Sequence, residues 1–456
     1  MSKFNKKLIK ILTPCKTPEK QVLMGNEAVA RGAIEAGVRG VFAYPGTPST
    51  EISEVFKNVS TFQIDPEQKK TYPELTKDPI YFEYSINEKV ALEKAIAYSL
   101  GNRNAMCCMK NVGMNVASDP LITIAYQTIG KSLVIVVCDD PGCFSSSNEQ
   151  DSRYWGKIAS VPVLNPATAE DSYKMTIDAF ALSELLKLPV IVRMSTRVDH
   201  SRCIVSVGNI FPEKINLGFN LSPQHINIPA KTATAHKNLL MKMESEVIFP
   251  FQKNNNRIYF KKDNSQATES AKKLGVITCG VANSYALEII YENDISEKLE
   301  LLKIGITHPI STIEIIDFLN RGFKKILILE ELDPIVENEV RIIAQRNNIN
   351  VEILGKGYIS LTRVGEYSLD IVRKAIEEFA DYTLNKKAGL PAEGKDQFLA
   401  NLPPRPPALC PGCPHRATFF ALKLAADQVG SRPVLCGDIG CFALGAFPPF
   451  QMIDTI

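Results

Sequence analysis

The stretch VFAYPGTPSTEISEVF (residues 41–56) predicts an apolar strand, a tight Pro-Gly turn and the start of a helix. The strand ends at Tyr44, and Thr47 is a suitable N-cap because a proline follows it at the first helical position. Thr47 and Ser49 would then lie at the carboxyl end of a strand, beside free backbone N–H groups. Ligands of open α/β sheets bind at such ends, and a helix N-terminus favours an anion such as a carboxylate. A well-capped helix without any ligand would show the same pattern.

Similar apolar runs recur along the chain and alternate with stretches of helical spacing. They are PIYFEYS (79–85), NAMCCMK (104–110), SLVIVVCDD (132–140), LPVIVRMS (188–195), LGVITCG (274–280), LLKIGI (301–306) and KKILILEEL (324–332). Because these runs are apolar throughout, helices should cover both faces of their sheets, which is typical of parallel strands. The sequence therefore predicts an α/β fold built on doubly wound parallel sheets.

Two compositional breaks divide the chain. Residues 206–268 are polar and rich in Asn, Lys and Pro, and they predict a linker that contains a helix at KNLLMKMESEV (237–247). The proline-rich segment NLPPRPPALCPG (401–412) marks a second boundary, because clustered prolines interrupt helices and strands alike. The length of 456 residues is consistent with about three domains.

Composition narrows the classes of function. Hydrophobic residues make up 45% of the chain and charged residues 22%, the balance of an ordinary globular protein. A net charge of +2 gives no reason to expect a nucleic acid partner, and no apolar run of about 18 residues could span a membrane. The lysine-rich residues 1–20 predict a frayed basic tail, because a signal peptide needs a longer apolar segment. Eleven cysteines, an odd number, favour reduced thiols in the cytoplasm.

Two further stretches contain candidate polar residues. In NEKVALEKAIAYSLG (87–101), Asn87 is a suitable N-cap and Glu88 falls in the first turn, where the helix dipole favours a carboxylate. A first-turn acid with a purely structural role is the alternative. The polar loop within CDDPGCFSSSNEQDSRYW (138–155) includes Asn148 and follows a strand, which is a typical position for ligand contacts. A solvated loop has the same composition.

The C-terminal part contains a group of cysteines. Cys410 and Cys413 form a C-x-x-C pair, and Cys436 and Cys441 follow downstream. Thiolates at this spacing suit zinc or an iron–sulfur cluster, although the Pro-Gly between the first two is equally typical of a helix-entry turn. Cys436 precedes the run GDIGC (437–441), and Cys441 is its last residue. This run follows a predicted strand at 433–436 and has the form of a phosphate- or metal-binding turn.

Taken in order, several stretches resemble the α subunits of indolepyruvate:ferredoxin oxidoreductases, within the thiamine-diphosphate-dependent 2-oxoacid:ferredoxin oxidoreductases. They are LMGNEAVARGAIEAGV, YPGTPSTEI, EYSINEKVALEKAIA, CMKNVGMNVASDPL, VIVVCDDPGCFSSSNEQDSR, EELDP, CPGCPHRATFF and GDIGC. The resemblance covers about 21–205 and 270–456, and it is specific as a combination although no single motif is. It implies a pyrimidine-binding domain at 21–205 and, after the linker at 206–268, a transketolase C-terminal-like domain at 269–385. Residues 386–456 would begin a diphosphate-binding domain that is incomplete.

The resemblance also implies roles for individual residues. Glu88 would hydrogen-bond the aminopyrimidine ring of thiamine diphosphate and favour its imino tautomer. Thr47 would contact the substrate carboxylate, and Ser49 and Asn148 are further candidates for substrate binding.

In the last domain, the first turn would include three candidate cofactor-binding residues, Gly437, Asp438 and Gly440. Cys410, Cys413 and Cys441 would be ligands of a [4Fe–4S] cluster, and Cys436 is a candidate for the fourth.

The implied activity is oxidative decarboxylation of indolepyruvate or a similar aryl pyruvate. The products would be CO₂ and an aryl-acetyl-coenzyme A, with the electrons passed to ferredoxin and a β subunit as partner. The family's second Gly-Asp motif, which binds Mg²⁺, and its cysteine-rich tail have no counterpart here, so we expect a fragment of a longer protein or a missing half on another chain. A related thiamine enzyme for another 2-oxoacid and a non-catalytic scaffold that binds zinc are the alternatives.

Overall fold

The computed structural model describes residues 6–210, 218–261, 274–384, 400–403, 408–430, 433–438 and 440–455. Parts of several predicted segments lie outside the described residues. They are 1–5 of the basic tail, 211–217 and 262–268 of the linker, and 404–407 of the proline-rich boundary. The chain separates into two compact units, Met1–Asn385 and Lys386–Ile456. No helix in the described part of the chain is long and apolar enough to cross a membrane.

The first unit alternates strands and helices. Its strands are β1 Glu19–Met24, β2 Gly40–Ala43, β3 Tyr81–Tyr84, β4 Ala105–Lys110, β5 Leu133–Asp139, β6 Val163–Leu164, β7 Val190–Ser195, β8 Arg202–Val207, β9 Arg257–Tyr259, β10 Leu274–Cys279, β11 Leu299–Ile304, β12 Ile306–His308, β13 Lys325–Leu329 and β14 Glu352–Leu354. Its helices are α1 Lys6–Leu12, α2 Gly25–Glu35, α3 Thr50–Ile64, α4 Pro66–Thr71, α5 Pro73–Thr76, α6 Glu88–Leu100, α7 Asn111–Val116, α8 Ser118–Ala125, α9 Tyr154–Ala159, α10 Ala169–Leu186, α11 Thr196–His200, α12 Pro229–Met243, α13 Phe249–Asn255, α14 Val281–Glu292, α15 Thr312–Leu319, α16 Ile335–Arg346 and α17 Leu369–Ala380.

A seven-stranded sheet forms the centre of the first unit, in the order β12-β6-β7-β5-β4-β2-β3. All of its neighbouring strands run parallel except β12, which is antiparallel to β6. Every residue of β4, β5 and β7 is buried, as expected for strands covered on both faces. The predicted α/β fold is therefore confirmed, and each apolar run of residues 79–195 contains a strand.

A second sheet of five strands follows, in the order β14-β13-β10-β11-β9, and its first four strands run parallel. Its edge strand β9 belongs to the predicted linker and pairs antiparallel with β11. The described part of the linker also contains α13 and α12, which includes the predicted helix as far as Met243. The linker prediction underestimated this order because polar residues on exposed helix faces resemble a loop in composition.

The N-terminal region is not a frayed tail in its described part, so that prediction was wrong for residues 6–12. Helix α1 places Leu8, Ile11 and Leu12 in the main core, at the i, i+3, i+4 spacing of one helix face. The buried Arg31 guanidinium donates to the carbonyl oxygens of Ile11 at 2.5 Å and Gly208 at 2.7 Å. The lysines on the exposed face concealed this apolar stripe.

The second unit is built around helix α18 (Pro414–Val429). A small buried cluster of Leu409, Phe419 and Met452 packs its described part together. Residues 433–436 do not form the predicted strand, because only Cys436 pairs, through a single parallel bridge with Thr455.

Arg153 joins the two sheets of the first unit. Only 1% of this residue is exposed, and its guanidinium donates to Asp151 at 2.6 Å and to Glu330, which follows β13, at 2.5 Å. It also donates to the carbonyl oxygens of Glu331 and Asp333, both at 2.9 Å. The end of the polar loop after β5 is thereby fixed to the second sheet.

We expect Arg153→Met to lower the free energy of unfolding by about 3–5 kcal/mol, because it leaves two carboxylates buried without their cation. The midpoint of urea unfolding measures this effect. Arg363→Met is the matched control, because Arg363 pairs with Asp333 in the segment after β13 but its side chain is 64% exposed. Its loss should lower the free energy of unfolding by less than about 1 kcal/mol. Equal midpoints for the two variants would contradict the prediction.

Candidate active site

Four neighbouring parallel strands, in the order β3-β2-β4-β5, deliver the predicted residues of the first unit to one edge of the sheet. Thr47 and Ser49 follow β2, Glu88 follows β3, and Asn148 lies in the loop after β5. Since the carboxyl ends of parallel strands meet at the same edge, these stretches all begin at that edge. The contacts differ in detail.

The turn after β2 is tighter than predicted. Thr47 is not the N-cap of α3; Ser49 is, and it makes no side-chain capping bond. Ser49 is 2% exposed, and both its backbone N–H and its hydroxyl donate to the Gly46 carbonyl oxygen at 2.8 Å. Its hydroxyl therefore supports the turn, whereas Thr47 is exposed. The proposed contact of Ser49 with a substrate stays a prediction.

Asn26 supports the same turn from beneath, and the sequence analysis missed it. Its amide nitrogen donates to the Pro48 carbonyl oxygen at 2.7 Å and to a Glu51 carboxylate oxygen at 2.8 Å. Asn26 is fully buried at the start of α2. No local sequence signal marks it, because its partners lie more than twenty residues away.

Glu88 opens helix α6, as predicted, and the Asn87 side chain caps the helix by accepting from the Val90 N–H at 2.9 Å. The Glu88 carboxyl group is half-buried and packs against the backbone of α7 at Gly113. A Cβ at that glycine would lie 2.5 Å from the Oε1 atom of Glu88. Only glycine leaves room for the carboxyl group here.

Asn111 is the most unusual polar residue near Glu88. It opens α7, two residues before Gly113, and is 0% exposed, yet neither atom of its amide has a hydrogen-bond partner among the described residues. Burying an unpaired amide costs free energy, so Asn111 is a candidate for binding a polar ligand. The sequence did not indicate a role for Asn111, because its burial is known only from the structure.

The polar loop after β5 is organised by Asp140. Its carboxylate accepts from the Ser145 N–H at 2.8 Å, the Ser146 hydroxyl at 2.7 Å and the Thr196 hydroxyl at 2.9 Å. Burial by itself would raise the pKa of Asp140, but these hydrogen bonds lower it below its usual range. The Ser145 hydroxyl also lies 3.0 Å from the Thr47 carbonyl oxygen, so the loop and the turn touch.

Asn148 occupies the exposed outer part of this loop. Its side chain bonds within the loop, to Gln150 at 2.6 Å and Ser147 at 3.5 Å. Glu149 anchors the loop, because its carboxylate accepts from the Gly142 N–H at 2.6 Å and the Gly365 N–H at 2.9 Å. The role of Asn148 in substrate binding stays a prediction.

In the second unit, Cys410 and Cys413 form a turn that leads into α18, since the Cys413 N–H donates to the Cys410 carbonyl oxygen at 3.1 Å. The Cys413 sulfur lies 3.2 Å from the His415 Nδ1 atom. The His415 ring packs edge-on against Phe442, the residue after Cys441, at 4.7 Å between ring centres. No group of three or more His, Cys, Asp or Glu side chains that could hold a metal occurs within the described ranges. Binding of a cluster by Cys410, Cys413 and Cys441 stays a prediction.

The turn at GDIGC uses its glycines in two ways. A Cβ at Gly437 would lie 2.9 Å from the Ile453 side chain, so this glycine permits a close internal contact. Gly440 has a φ of +97°, a conformation that favours glycine. Asp438 is exposed between them. Binding of a cofactor by these three residues stays a prediction.

No model of a protein family matches the chain. Among curated proteins, it is similar to the indolepyruvate oxidoreductase subunit IorA of Methanothermobacter thermautotrophicus, with 36% identity over 442 residues. The IorA subunit of Pyrococcus horikoshii is 37% identical over 451 residues. Both alignments cover 96% of this chain, and the chain spans 66% and 64% of the length of these relatives.

Two more distant similarities agree with the fold. The 2-oxoglutarate synthase subunit KorA of Methanocaldococcus jannaschii is 29% identical over 190 residues, which cover 40% of this chain and 47% of that subunit. A solved structure, the 2-oxoglutarate:ferredoxin oxidoreductase of Magnetococcus marinus with 2-oxoglutarate, coenzyme A and succinyl-CoA bound, has a TM-score of 0.57 at 16% identity. That match covers 80% of this chain and 66% of that one, and it shows a shared fold.

Proposed function

The chain belongs to the family of the indolepyruvate oxidoreductase IorA subunits, and on that premise we propose that it works in thiamine-diphosphate-dependent oxidation of 2-oxoacids. The substrate class is an aryl pyruvate such as indolepyruvate. The overall reaction takes a 2-oxoacid, coenzyme A and two oxidised ferredoxins to an acyl-coenzyme A, CO₂, a proton and two reduced ferredoxins. A β subunit is the proposed partner in a cytoplasmic enzyme.

The arrangement of Glu88, Gly113 and Asn111 is the observation that supports this proposal. Thiamine diphosphate fits the described residues because the buried Asn111 amide lacks a partner, and because Glu88 lies against a helix that only glycine allows so close. Glu88 would hold the pyrimidine ring, and Asn111 would hydrogen-bond the cofactor or the substrate. When bound, thiamine diphosphate supplies the nucleophilic carbon and the electron sink for decarboxylation.

The residues of the chain would contribute binding, orientation and proton transfer. The Glu88 carboxyl group would share a proton with the ring nitrogen at the opening turn of α6. The exposed Thr47 would orient the substrate carboxylate at the start of α3, where the helix dipole favours an anion. The anchored loop at 140–153 would help to exclude water from that edge of the sheet.

Another 2-oxoacid is the competing substrate assignment, and the shorter similarity to KorA is the observation behind it. A panel of indolepyruvate, phenylpyruvate, pyruvate and 2-oxoglutarate, assayed with the complete enzyme, separates the two. The highest kcat/KM for an aryl pyruvate would support the proposal, and the highest for 2-oxoglutarate would replace it.

We expect Glu88→Gln in the complete enzyme to lower kcat by roughly 10²- to 10⁴-fold, because the amide cannot share a proton with the ring. The circular dichroism spectrum should stay that of the wild type. Near-normal turnover of this variant would remove Glu88 from its proposed role.

Gly113→Ala should reproduce part of that loss without touching Glu88 chemically. The new Cβ would displace the Glu88 carboxyl group, and a misplacement of about 1 Å is expected to lower turnover by about 10²-fold. Gly101→Ala, at the C-terminal end of α6, is the control, because a Cβ at Gly101 would lie no closer than 3.3 Å to any neighbouring atom. Equal turnover of the two alanine variants would show that the close packing is irrelevant.

The proposed cluster ligands can be tested by metal content. We expect Cys413→Ser to lower the iron and sulfide content of the complete enzyme after anaerobic purification, whereas Cys203→Ser, a half-buried thiol of β8, should leave both unchanged. Zinc in place of iron would support the scaffold alternative, and no metal in the wild type would show that these are plain thiols.

A further inference from the structure

Lys110 is a buried cation at the centre of the candidate site. It is the last residue of β4, directly before Asn111, and only 7% of it is exposed. Its side chain runs alongside the turn after β2, since a Cβ at Gly46 would lie 3.3 Å from the Lys110 Cβ and 3.5 Å from its Cδ. Its ammonium group therefore lies among the three segments that follow β2, β4 and β5.

The ammonium group has only neutral hydrogen-bond partners. It donates to the Ser145 carbonyl oxygen and to the Ser145 hydroxyl, the latter at 3.1 Å. Among the described residues, both of its hydrogen bonds go to Ser145, and it takes part in no ion pair. Asp140 and Cys143 are the titratable groups near it, and the Asp140 oxygens already accept from Ser145, Ser146 and Thr196.

A cation in this position is costly for the protein by itself. Burial lowers the pKa of Lys110, and the negative charge of Asp140 acts in the opposite direction. A buried ammonium group without a paired anion is stabilised strongly when an anion reaches it. The proposed substrate brings such an anion, because a 2-oxoacid is a carboxylate.

We propose that Lys110 binds the carboxylate of the 2-oxoacid and sets the preference for acids over uncharged carbonyl compounds. The Ser145 hydroxyl lies 3.1 Å from the Lys110 ammonium group and 3.0 Å from the Thr47 carbonyl oxygen, so Lys110 and the Thr47 turn reach the same space. This inference rests on the proposed function, and it adds the charged group that the proposal lacks.

The chemistry of decarboxylation predicts which kinetic constant changes. The carboxylate leaves as neutral CO₂, so the ammonium group attracts the substrate more strongly than the transition state that is losing this charge. Removing it should raise KM much more than it lowers kcat. Loss of a lysine with a purely structural role would lower kcat or the amount of folded enzyme, without a selective rise in KM.

The decisive variant is Lys110→Met in the complete enzyme, with Lys110→Arg to restore the charge. For indolepyruvate we expect KM to rise roughly 10- to 100-fold in the methionine variant, as for loss of one charge-assisted hydrogen bond. The arginine variant should recover part of the difference. Lys89→Met is the matched control, because Lys89 is exposed on α6 and pairs with Asp119.

A binding measurement separates this inference from the proposed function, because it needs no turnover. Indole-3-lactate keeps the carboxylate, and indole-3-ethanol lacks it. By calorimetry, Lys110→Met should weaken binding of the lactate by the same roughly 10- to 100-fold and leave binding of the alcohol unchanged. The unchanged alcohol binding also shows that the variant is folded.

Equal affinity of wild type and Lys110→Met for indole-3-lactate would overturn the role of Lys110, even if the enzyme oxidises indolepyruvate. Lysine-dependent binding of the lactate in an enzyme that oxidises no 2-oxoacid would support the carboxylate site and refute the proposed function.

Discussion

Burial of the parallel strands on both faces is the constraint on which the rest of the molecule depends. Along β4 and β5 every residue is buried, so a polar group within these strands would face an apolar core. Polar chemistry is therefore confined to the strand ends, where the helices and loops begin. The turn after β2, the one-turn helix after β4 and the loop after β5 all meet at that edge.

The polar residues at this edge fall into two groups, which differ in whether their side chains find bonding partners within the protein. The Asn26 amide nitrogen, the Ser49 hydroxyl and the Asp140 carboxylate form hydrogen bonds within the protein, and these bonds fix the shape of the turn and the loop. Asn111 has no partner for its amide, and Lys110 has no anion. Polar groups held by bonds within the protein, beside a buried amide that has no partner, are the arrangement expected of a preorganised binding site.

The sequence predicted what depends on local pattern and missed what depends on burial. Apolar runs located the strands, and the N-cap at Asn87 was identified because capping chemistry is local. The sequence gives no signal that distinguishes Asn111 and Lys110, because they are buried only in the folded protein. Thr47 was misassigned as a cap because the tight turn places Ser49 there instead.

The same distinction explains the differences at residues 6–12 and in the described part of 206–268. In both segments the polar residues cover one side of a short helix, and composition averages the two sides. The apolar face of α1 becomes visible only at helical spacing, and strand β9 is recognised only through its pairing with β11. Long-range partners, which no local window contains, decide such segments.

Separation of charge is the remaining property that the fold imposes on the site. Lys110 ends β4, and Gly113, three residues later in α7, packs against the Glu88 carboxyl group, so the cation precedes α7 and the carboxyl group contacts it. The hydrogen bonds of the Lys110 ammonium group go to Ser145, in the loop after β5. In the proposed mechanism, the short helix α7 would therefore do more than connect β4 to α8, because it would hold the carboxyl group that shares a proton and the cation that binds the substrate at different positions.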